Sequence, residues 1–531
     1  MWSRGFSIAA IVVMVAWTPE FGCPLFAQAE RNPDQATRSP SDRSAAKKPS
    51  PEDSEGLRDG LVRKLKEALD AAEGMFDQDQ DQDRDSVNET LREADATLSR
   101  IREENRRALE QVNRQVRLVN HKCPNIVLFL LNGVGYGELG AYGQPLIKTP
   151  VADALALHGV RFTQFYAGSC DSIASRGTLY SGKLTARGEQ VGEDWMTVRE
   201  QDVTLPEMLF QGGYETGLFG VWGVGPVARA GHPNRQGFKT FVGYLDDPAA
   251  EDLYPSALWC NASQVPLPEN RGGARQRYAP DVIVAAARRF IASVSQRPFF
   301  LTVALPMPLT ADGVELPDLG PYADRDWPTR DKARAAMLTR VDGYLGQIVS
   351  ELQEQRLVHR TMIILTSDRG PPAVPAGGVD RFQATGPLRG RAGELYEGGI
   401  RVPLIVVEPG MRSAPMVSEL RFGMWDLLPT LRDVTGTLCC PGALDGVTVA
   451  KRWAGPADAP PPLRALLYWE RHRGGWAQAV RVDDWKGVRF AADGRWELYD
   501  LRTDLAESQD VAASHPAVVK RIDELAKFLQ P

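Results

Sequence analysis

Asn132 and Gly133 occupy a place in the sequence where a ligand is expected to bind. They follow an unbroken apolar run, residues 126–131, in the stretch IVLFLLNGVGYGELG. An apolar run bounded by glycine is typical of a strand buried in a parallel sheet. Ligands of such sheets bind at the carboxyl ends of the strands. An amide offers one neutral carbonyl oxygen and a glycine offers no side chain, so this loop gives a ligand little charge.

Further apolar runs indicate the elements that would position this loop. They alternate with helical patterns such as that of residues 333–353, which predicts an α/β fold with a large, mostly parallel sheet covered by helices on both faces. The stretches AVRVDDWKGVRF and GRWELYDL, followed by a helical pattern, predict a small C-terminal α+β subdomain. We place the large domain at residues 124–441 and the subdomain at 442–531. The predicted buried strands are 125–131, 216–219, 299–304, 361–366 and 404–407.

Composition and charge narrow the class of protein. The chain has 531 residues, of which 43% are hydrophobic, and this is enough for two domains with large cores. Its formal net charge of −6 favours neither nucleic acid nor an anionic membrane as a partner.

The first 29 residues have the pattern of an export signal. Arg4 precedes an apolar segment at residues 8–17, and Ala27-Gln28-Ala29 supplies a small-x-small cleavage site. We therefore expect cleavage after Ala29 and an exported protein, either periplasmic or secreted. The apolar segment is too short for a membrane span, so none is predicted.

The next segments are predicted to lie outside the globular fold. Residues 30–55 are rich in Ser, Pro and charged residues, which predicts a disordered leader. Residues 56–120 predict a helical extension, in which Leu91, Leu98, Asn105, Val112 and Val119 recur at seven-residue spacing. This spacing is typical of a coiled coil. The extension is expected either to form a homo-oligomer or to pack as an amphipathic helix on its own domain.

From residue 124 onward, several motifs occur in a fixed order. They are PNIVLFLLNGVGYGELGAYG, SIASRGTLYSGK, GGYETGLFGVWGVG, RPFFLTVALPMP, LTSDRGP, LYEGGIRVP and DDWKGVRF followed by ELYDL. Together they resemble the sulfatase family of the alkaline-phosphatase-like superfamily. The resemblance implies hydrolysis of sulfate esters by a formylglycine nucleophile made from Cys or Ser. It also implies a divalent cation, usually calcium, held by three Asp and one Asn, with lysines and histidines that handle the sulfate.

The stretch SIASR resembles the serine type of the family's nucleophile motif. The resemblance implies that Ser172 is the residue converted to formylglycine, that Ala174 is the required small residue, and that Arg176 is the cation that orients the nucleophile. Cys170 lies too far from Arg176 to fit the motif. The alternative is that Ser172 is an unmodified hydroxyl that caps a helix.

The positions that hold the metal in the family are largely replaced. Asn132 and Gly133 stand where the family has two aspartates, Asp368 keeps the third, and Arg369 replaces the asparagine. A hard dication requires six or more oxygens, with carboxylates among them. We therefore expect the site to be lost, no cofactor to be bound, and Arg369 to satisfy Asp368. Calcium on Asp368 and Asn132 is expected only if the enzyme is active.

The family's sulfate-binding lysines and histidines are also missing. The residues at their positions are Val221, Gly223, Leu309 and Ala392. Arg391 lies beside one of these positions and could replace part of the lost charge. Arg176, Arg369 and Arg391 are then expected to form an anion-binding pocket. Only His232 is expected near the mouth of that pocket, where a lone histidine is more often structural.

These replacements leave three hypotheses of function. We favour a catalytically impaired family member, a pseudoenzyme that binds a sulfated glycan, another anion or a protein partner. The second hypothesis is an active sulfuric ester hydrolase of the aryl- or glycan-sulfatase type, which uses formylglycine from Ser172 in a rebuilt site. The third is a phosphoesterase of the same superfamily, whose two zinc ions would require several His and Asp together.

Overall fold

The described part of the chain alternates strands with helices for most of its length. The computed structural model describes residues 123–191, 194–196, 198–199, 201–225, 227–307, 316–375, 377–409, 415–438, 442–453 and 466–529. The predicted export signal (1–29), leader (30–55) and helical extension (56–120) lie outside these residues.

The strands and helices have the following bounds. In chain order the described strands are β1 (Asn125–Leu131), β2 (Val160–Phe162), β3 (Phe165–Tyr166), β4 (Glu189–Val191), β5 (Asp194–Met196), β6 (Glu215–Val221), β7 (Thr240–Tyr244), β8 (Ala257–Cys260), β9 (Ser263–Pro266), β10 (Phe299–Ala304), β11 (Thr361–Ser367), β12 (Leu404–Val407), β13 (Met416–Ser418), β14 (Phe422–Gly423), β15 (Leu466–Arg471), β16 (Ala477–Val482), β17 (Trp485–Arg489) and β18 (Glu497–Asp500). The described α-helices are α1 (Pro150–His158), α2 (Ser172–Ser181), α3 (Leu205–Gln211), α4 (Val227–Ala230), α5 (Ala279–Val294), α6 (Thr329–Glu354), α7 (Glu397–Ile400), α8 (Leu427–Thr435), α9 (Ala450–Trp453) and α10 (Pro516–Leu529). Short 3₁₀ helices lie at Gly140–Tyr142, Thr185–Arg187, Ala249–Glu251, Pro268–Gly273, Gly320–Tyr322, Val358–Arg360, Met424–Asp426 and Ala512–Ser514.

The central sheet contains ten of the described strands, in the order β13-β2-β12-β11-β1-β10-β6-β7-β8-β9. Its middle strands, from β11 to β7, all pair in parallel. β12 and β8 flank this middle section and run antiparallel to its end strands, β11 and β7. All the strands predicted from apolar runs belong to this sheet, so the predicted large and mostly parallel sheet is confirmed. The run that forms β12 could not reveal its antiparallel direction, because burial does not depend on direction.

Helices cover both faces of the sheet because its central strands are apolar on both sides. In β1, Val127 and Phe129 face the layer formed by α1, α5 and α6, whereas Ile126 and Leu128 face the layer formed by α2, α3 and α8. Successive side chains of a strand point to opposite faces, so an unbroken apolar run fills both layers. None of the described helices is long and apolar enough to cross a membrane.

The C-terminal residues form a second sheet, which is four-stranded and antiparallel in the order β15-β16-β17-β18. Helix α10 packs against it through Ile522 and Ala526. The alternating stretches seen in the sequence lie in β16, β17 and β18, so the predicted small α+β subdomain is confirmed. The indole of Trp469 donates a hydrogen bond to the Ala167 carbonyl at 2.9 Å. This contact helps to hold the second sheet against the large domain.

A buried ionic cluster also joins the second sheet to the large domain. Lys486 Nζ on β17 lies 3.0 Å from Glu397 Oε1 and 2.9 Å from Glu507 Oε1. Glu507 Oε2 accepts the backbone N–H of Glu397 at 2.6 Å. Arg401 and the Tyr166 hydroxyl donate to the other oxygen of Glu397. Buried charges are tolerated when they are paired and hydrogen-bonded, so this cluster restricts how the sheet docks.

Candidate functional site

Ser172 is the first residue of α2 and lines a cleft. The residue before it caps the helix, because the Asp171 carboxylate accepts the backbone N–H groups of Ile173 and Ala174 at 3.0 and 3.3 Å. The alternative in which Ser172 caps the helix is therefore wrong. Ser172 is 7% exposed, and its hydroxyl is left to bind another partner.

That partner is the guanidinium of Arg369. Arg369 Nε donates to Ser172 Oγ over 2.6 Å, and the residue is only 5% exposed. Its neighbour Asp368 pairs with Arg176 instead, so the expected pairing of Arg369 with Asp368 is wrong. The Asp368 N–H still bonds to the Leu131 carbonyl, which extends the strand geometry of β11 past its end. Successive side chains of such a segment point in opposite directions, and the two residues therefore meet different partners.

Arg176 lies beneath the cleft and bridges two carboxylates. Its Nε and Nη2 lie 3.1 and 3.0 Å from Asp368 Oδ2, and its Nη1 lies 2.7 Å from Asp247 Oδ1. Burial alone lowers the pKa of Arg176, but Asp247 and Asp368 outweigh burial and raise the pKa above its ordinary value. Its Nη1 also donates to the Gly223 carbonyl at 3.1 Å. Arg176 therefore holds the site together and is not free to bind a ligand.

Asn132 and Gly133 meet Asp368 at the ends of neighbouring strands. Asp368 is fully buried, and its Oδ1 accepts the Gly133 N–H at 2.8 Å while its Oδ2 accepts Arg176. Gly133 has a φ of +59°, a conformation that favours glycine. Asn132 Oδ1 is buried and has no described hydrogen-bond donor. It is the unsatisfied oxygen among the predicted metal ligands.

The calcium that the family resemblance implies does not fit these donors. Calcium takes six to eight oxygens, several of them from carboxylates. Here both oxygens of Asp368 are engaged, Asn132 adds one neutral oxygen, and Arg369 brings a positive charge to the remaining position. Within the described ranges, no group of three or more His, Cys, Asp or Glu could hold a metal ion, which also leaves no place there for two zinc ions. The space bounded by Asn132, Arg176 and Asp368 is too small for a water molecule.

The positions of the missing sulfate-binding groups are scattered in the structure. Gly223 and Ala392 line the cleft, whereas Val221 is buried at the end of β6. A Cβ on Gly223 would lie 1.9 Å from Arg176 Nη1, so a larger residue would require Arg176 to move. Leu309 lies outside the described residues. Arg391 does not line the cleft, and its guanidinium binds Asp380 and the Pro372 carbonyl.

The cleft has a volume of about 790 Å³. Several of the charged residues that line it were not predicted from the sequence. Its basic side includes Arg471 at the end of β15 and Arg473 in the β15–β16 turn, in addition to Arg369. Its acidic residues come mainly from the segment after β7. The acidic residues that line the cleft are Asp171, Asp246, Asp247 and Glu251.

One sequence signal could have indicated the two arginines of the β15–β16 hairpin. They stand in the stretch ERHRGG, where paired glycines indicate a turn. Gly474 and Gly475 have φ values of +71° and +98°, as such a turn requires. The sequence could not show that this turn reaches Ser172, since about three hundred residues separate them in the chain.

Neither His232 nor His472 lines the cleft, and both pack against aromatic rings. The Nδ1 of His232 accepts the Asn234 N–H at 3.2 Å, and its ring packs beside Phe241. Burial lowers the pKa of His232. His472 stacks on Trp195 with ring centroids 3.3 Å apart, and its Nε2 lies 3.5 Å from Glu470. Among the described residues that line the cleft, none is a histidine or a lysine.

Comparison with solved structures defines the class of fold. Ps i-CgsB, solved in complex with k-i-k-neocarrahexaose, matches 77% of this chain and 94% of its own with a TM-score of 0.64 and 24% identity. The phosphonate monoester hydrolase of Agrobacterium radiobacter matches 77% of this chain and 95% of its own with a TM-score of 0.54 and 21% identity. This chain therefore shares the fold of both solved structures.

Comparison of sequences gives the family. The sulfatase family model matches residues 124–437. Arylsulfatase A of Homo sapiens is 32% identical over 424 residues, which cover 73% of this chain and 77% of the human protein. The N-acetylgalactosamine-6-O-sulfatase of Bacteroides thetaiotaomicron is 26% identical over 505 residues, which cover 77% of this chain and 94% of that protein. This chain belongs to the sulfatase family.

Proposed function

We propose that this protein is a catalytically impaired sulfatase-family member that binds sulfated sugars in the cleft at Ser172. The observation that carries the proposal is the position of Arg369. Its guanidinium is buried, lines the cleft, donates to the Ser172 hydroxyl and pairs with no described carboxylate. A buried cation without a counter-ion is costly. An anionic ligand would supply that counter-ion, and a planar guanidinium can bind two sulfate oxygens at once.

Two relatives support a sulfated sugar as the ligand class. One is the N-acetylgalactosamine-6-O-sulfatase already compared. The other is BT4656, whose structure holds its substrate D-glucosamine-2-N,6-O-disulfate and matches this fold with a TM-score of 0.57. The cleft of this protein occupies the carboxyl edge of the parallel strands, where α/β proteins bind their ligands.

Impairment follows from the loss of groups that stabilise charge. The donor set at Asp368 does not suit calcium, and Gly223 and Ala392 line the cleft where the family has charged or titratable side chains. Removal of a single group that stabilises transition-state charge commonly lowers the rate by about 10²–10³. We therefore expect no detectable hydrolysis of an aryl sulfate by the purified protein.

Calorimetric titration in the presence of EDTA tests the binding function. The probes are glucosamine 6-sulfate and N-acetylglucosamine 6-sulfate, each compared with its unsulfated counterpart. We expect sulfate-dependent binding without metal, weakened at least roughly tenfold in Arg369→Met because a charge-assisted bond is lost. Arg495→Met is the control, since Arg495 is 81% exposed and pairs with Asp510 away from the cleft. Binding that disappears with EDTA, or that is unchanged in Arg369→Met, would contradict the proposal.

The position of Ser172 favours an active sulfatase as the second candidate. Ser172 begins α2, lines the cleft and lies one helical turn before Arg176, as the nucleophile motif implies. This alternative requires conversion of Ser172 to formylglycine. It also requires calcium on Asp368 and Asn132, which would need Arg176 and Arg369 to move from their present partners.

The N-terminal pattern adds two further proposals. Residues 1–29 support export to the periplasm or the medium, where sulfated glycans of other cells would be encountered. Residues 56–120 support self-association through the heptad that contains Leu91 and Leu98. Both proposals rest on sequence patterns alone.

A further inference from the structure

The charges that line the cleft come from different parts of the sheet. Arg369 follows β11, whereas Asp246, Asp247 and Glu251 follow β7. These two strands are parallel members of one sheet, so their carboxyl ends lie at the same edge, and Arg176 joins the residues that follow them, with Nη2 3.0 Å from Asp368 Oδ2 and Nη1 2.7 Å from Asp247 Oδ1. The cleft therefore has a basic end after β11 and an acidic end after β7, close enough for one guanidinium to connect Asp368 with Asp247.

Some of these charges are neutralised within the protein. Asp171 Oδ2 lies 3.6 Å from Arg473 Nη1 at the rim. Asp247 Oδ1 lies 2.7 Å from Arg176 Nη1 beneath the cleft. The other charged residues of the lining form no salt bridge among the described residues; they are Arg369, Arg471, Asp246 and Glu251.

The remaining basic residues have only neutral partners. Arg369 donates to Ser172, and Arg471 donates to the carbonyls of Gly475 and Gly393. No carboxylate of the described residues forms a salt bridge with either arginine. The basic end of the cleft therefore retains two positive charges for a ligand.

The acidic end retains negative charge in the same way. Asp246 accepts the backbone N–H of Ala249 at 2.8 Å, a neutral donor. Neither Asp246 nor Glu251 forms a salt bridge with a cation among the described residues, and both are exposed to the cleft. A ligand that is anionic throughout would place like charges next to these two carboxylates.

We propose that the ligand is zwitterionic, an amino sugar that carries a free ammonium group as well as a sulfate ester. The sulfate binds at Arg369 and Ser172, and this part rests on the proposed function. The ammonium group binds at Asp246 and Glu251, which makes these two residues specificity-determining. Acetylation of the amine would remove the positive charge and would leave both carboxylates without a counter-ion.

The two sulfated monosaccharides separate this inference from the proposed function. In calorimetric titrations of the full chain at low salt, we expect glucosamine 6-sulfate to bind roughly fivefold more tightly than N-acetylglucosamine 6-sulfate, as expected for partly exposed charge pairs. The double variant Asp246→Asn/Glu251→Gln should bring the ratio of the two affinities close to one while binding still depends on the sulfate. The control is Asp252→Asn, which changes an exposed neighbouring acid that does not line the cleft.

Each outcome supports or overturns the inference. Equal or tighter binding of the acetylated sugar, with both sugars still dependent on the sulfate and on Arg369, would overturn the zwitterionic ligand and leave the proposed function standing. A preference for the free amine that persists in the double variant would overturn the role of Asp246 and Glu251. If neither sulfated sugar binds, the proposed function and the inference both fail.

Discussion

Arg369 changes the chemistry available next to Asp368. A carboxamide at this position can donate a neutral oxygen to a metal, whereas a guanidinium only donates hydrogen bonds and keeps its charge. In this structure that charge is directed at Ser172, whose Oγ lies 2.6 Å from Arg369 Nε. The guanidinium therefore makes this position suited to an anion and unsuited to a cation.

Ser172 is expected to remain a serine in the protein purified from its own host. Conversion to formylglycine serves a site whose metal holds the hydrated aldehyde, and the donors here do not suit a metal. Mass spectrometry of the peptide that contains Ser172 checks this, because formylglycine made from serine lacks two hydrogen atoms. Ser175 and Ser181 on the same helix serve as internal controls. A peptide with two fewer hydrogens, together with aryl sulfate hydrolysis that is lost in Ser172→Ala, would establish the active-sulfatase alternative.

Residue types at the site could be predicted from the sequence, but their partners could not. The motifs placed Ser172, Arg176 and Asp368 in one site, and the structure brings them together. The predicted partner of Asp368 was wrong because side chains that are adjacent in a strand-like segment point apart. The prediction that Arg391 contributes charge to the pocket rested on its position next to Ala392 in the chain. In the structure only Ala392 lines the cleft, and the guanidinium of Arg391 binds Asp380 and the Pro372 carbonyl.

Among the elements, the β15–β16 hairpin contributes to the cleft in a way that the sequence did not predict. It belongs to the C-terminal sheet, yet the end of β15 and the turn after it bring Arg471 and Arg473 into the cleft of the large domain. The position of the turn depends on the docking of the whole sheet, which the buried cluster around Lys486 restricts. Alternation predicted β16, β17 and β18 but not β15, and the docking between elements is set by long-range contacts that no local pattern encodes.

The Lys486 cluster should make stability depend on pH. Burial raises the pKa of Glu507 from 4.5 to about 7, with Lys486 opposing and Glu397 adding to the rise. The folded protein therefore holds this proton more tightly than the unfolded chain does, and the stability from Glu507 is lost as pH rises through about 7. Lys486, Arg481 and Arg401 outweigh burial and keep the pKa of Glu397 low, so Glu397 stays charged over this range.

We expect Lys486→Met to lower the free energy of unfolding by about 3–5 kcal/mol, and by more at pH 8 than at pH 5. At pH 5 Glu507 can take up a proton, whereas at pH 8 the variant must bury two carboxylates with one cation fewer. Urea denaturation followed by circular dichroism at both pH values measures the difference. Lys520→Met is the control, because Lys520 is 79% exposed on α10.

The variant Glu507→Gln isolates the titrating group. It should remove the part of the pH dependence that arises between about pH 5 and pH 8, because the amide cannot ionise. A wild-type protein and a Glu507→Gln variant with the same slope of stability against pH would contradict the assignment. So would a loss in Lys486→Met that is equal at both pH values.

At the scale of the whole molecule, we expect the fold not to depend on the residues before Cys123. The central sheet, its two helical layers and the C-terminal sheet bury their apolar residues against one another within residues 123–529. We therefore expect a protein that lacks residues 30–120 to keep its melting temperature and to lose self-association. Light scattering at two concentrations, with thermal unfolding of both proteins, measures the two effects. Replacement of Leu91 and Leu98 by serine in the full chain is the matched control, because it disrupts the heptad without removing residues. If the truncated protein unfolds, the extension packs into the core as an amphipathic helix. If it stays folded with the same mass as the full assembly, the heptad does not mediate self-association.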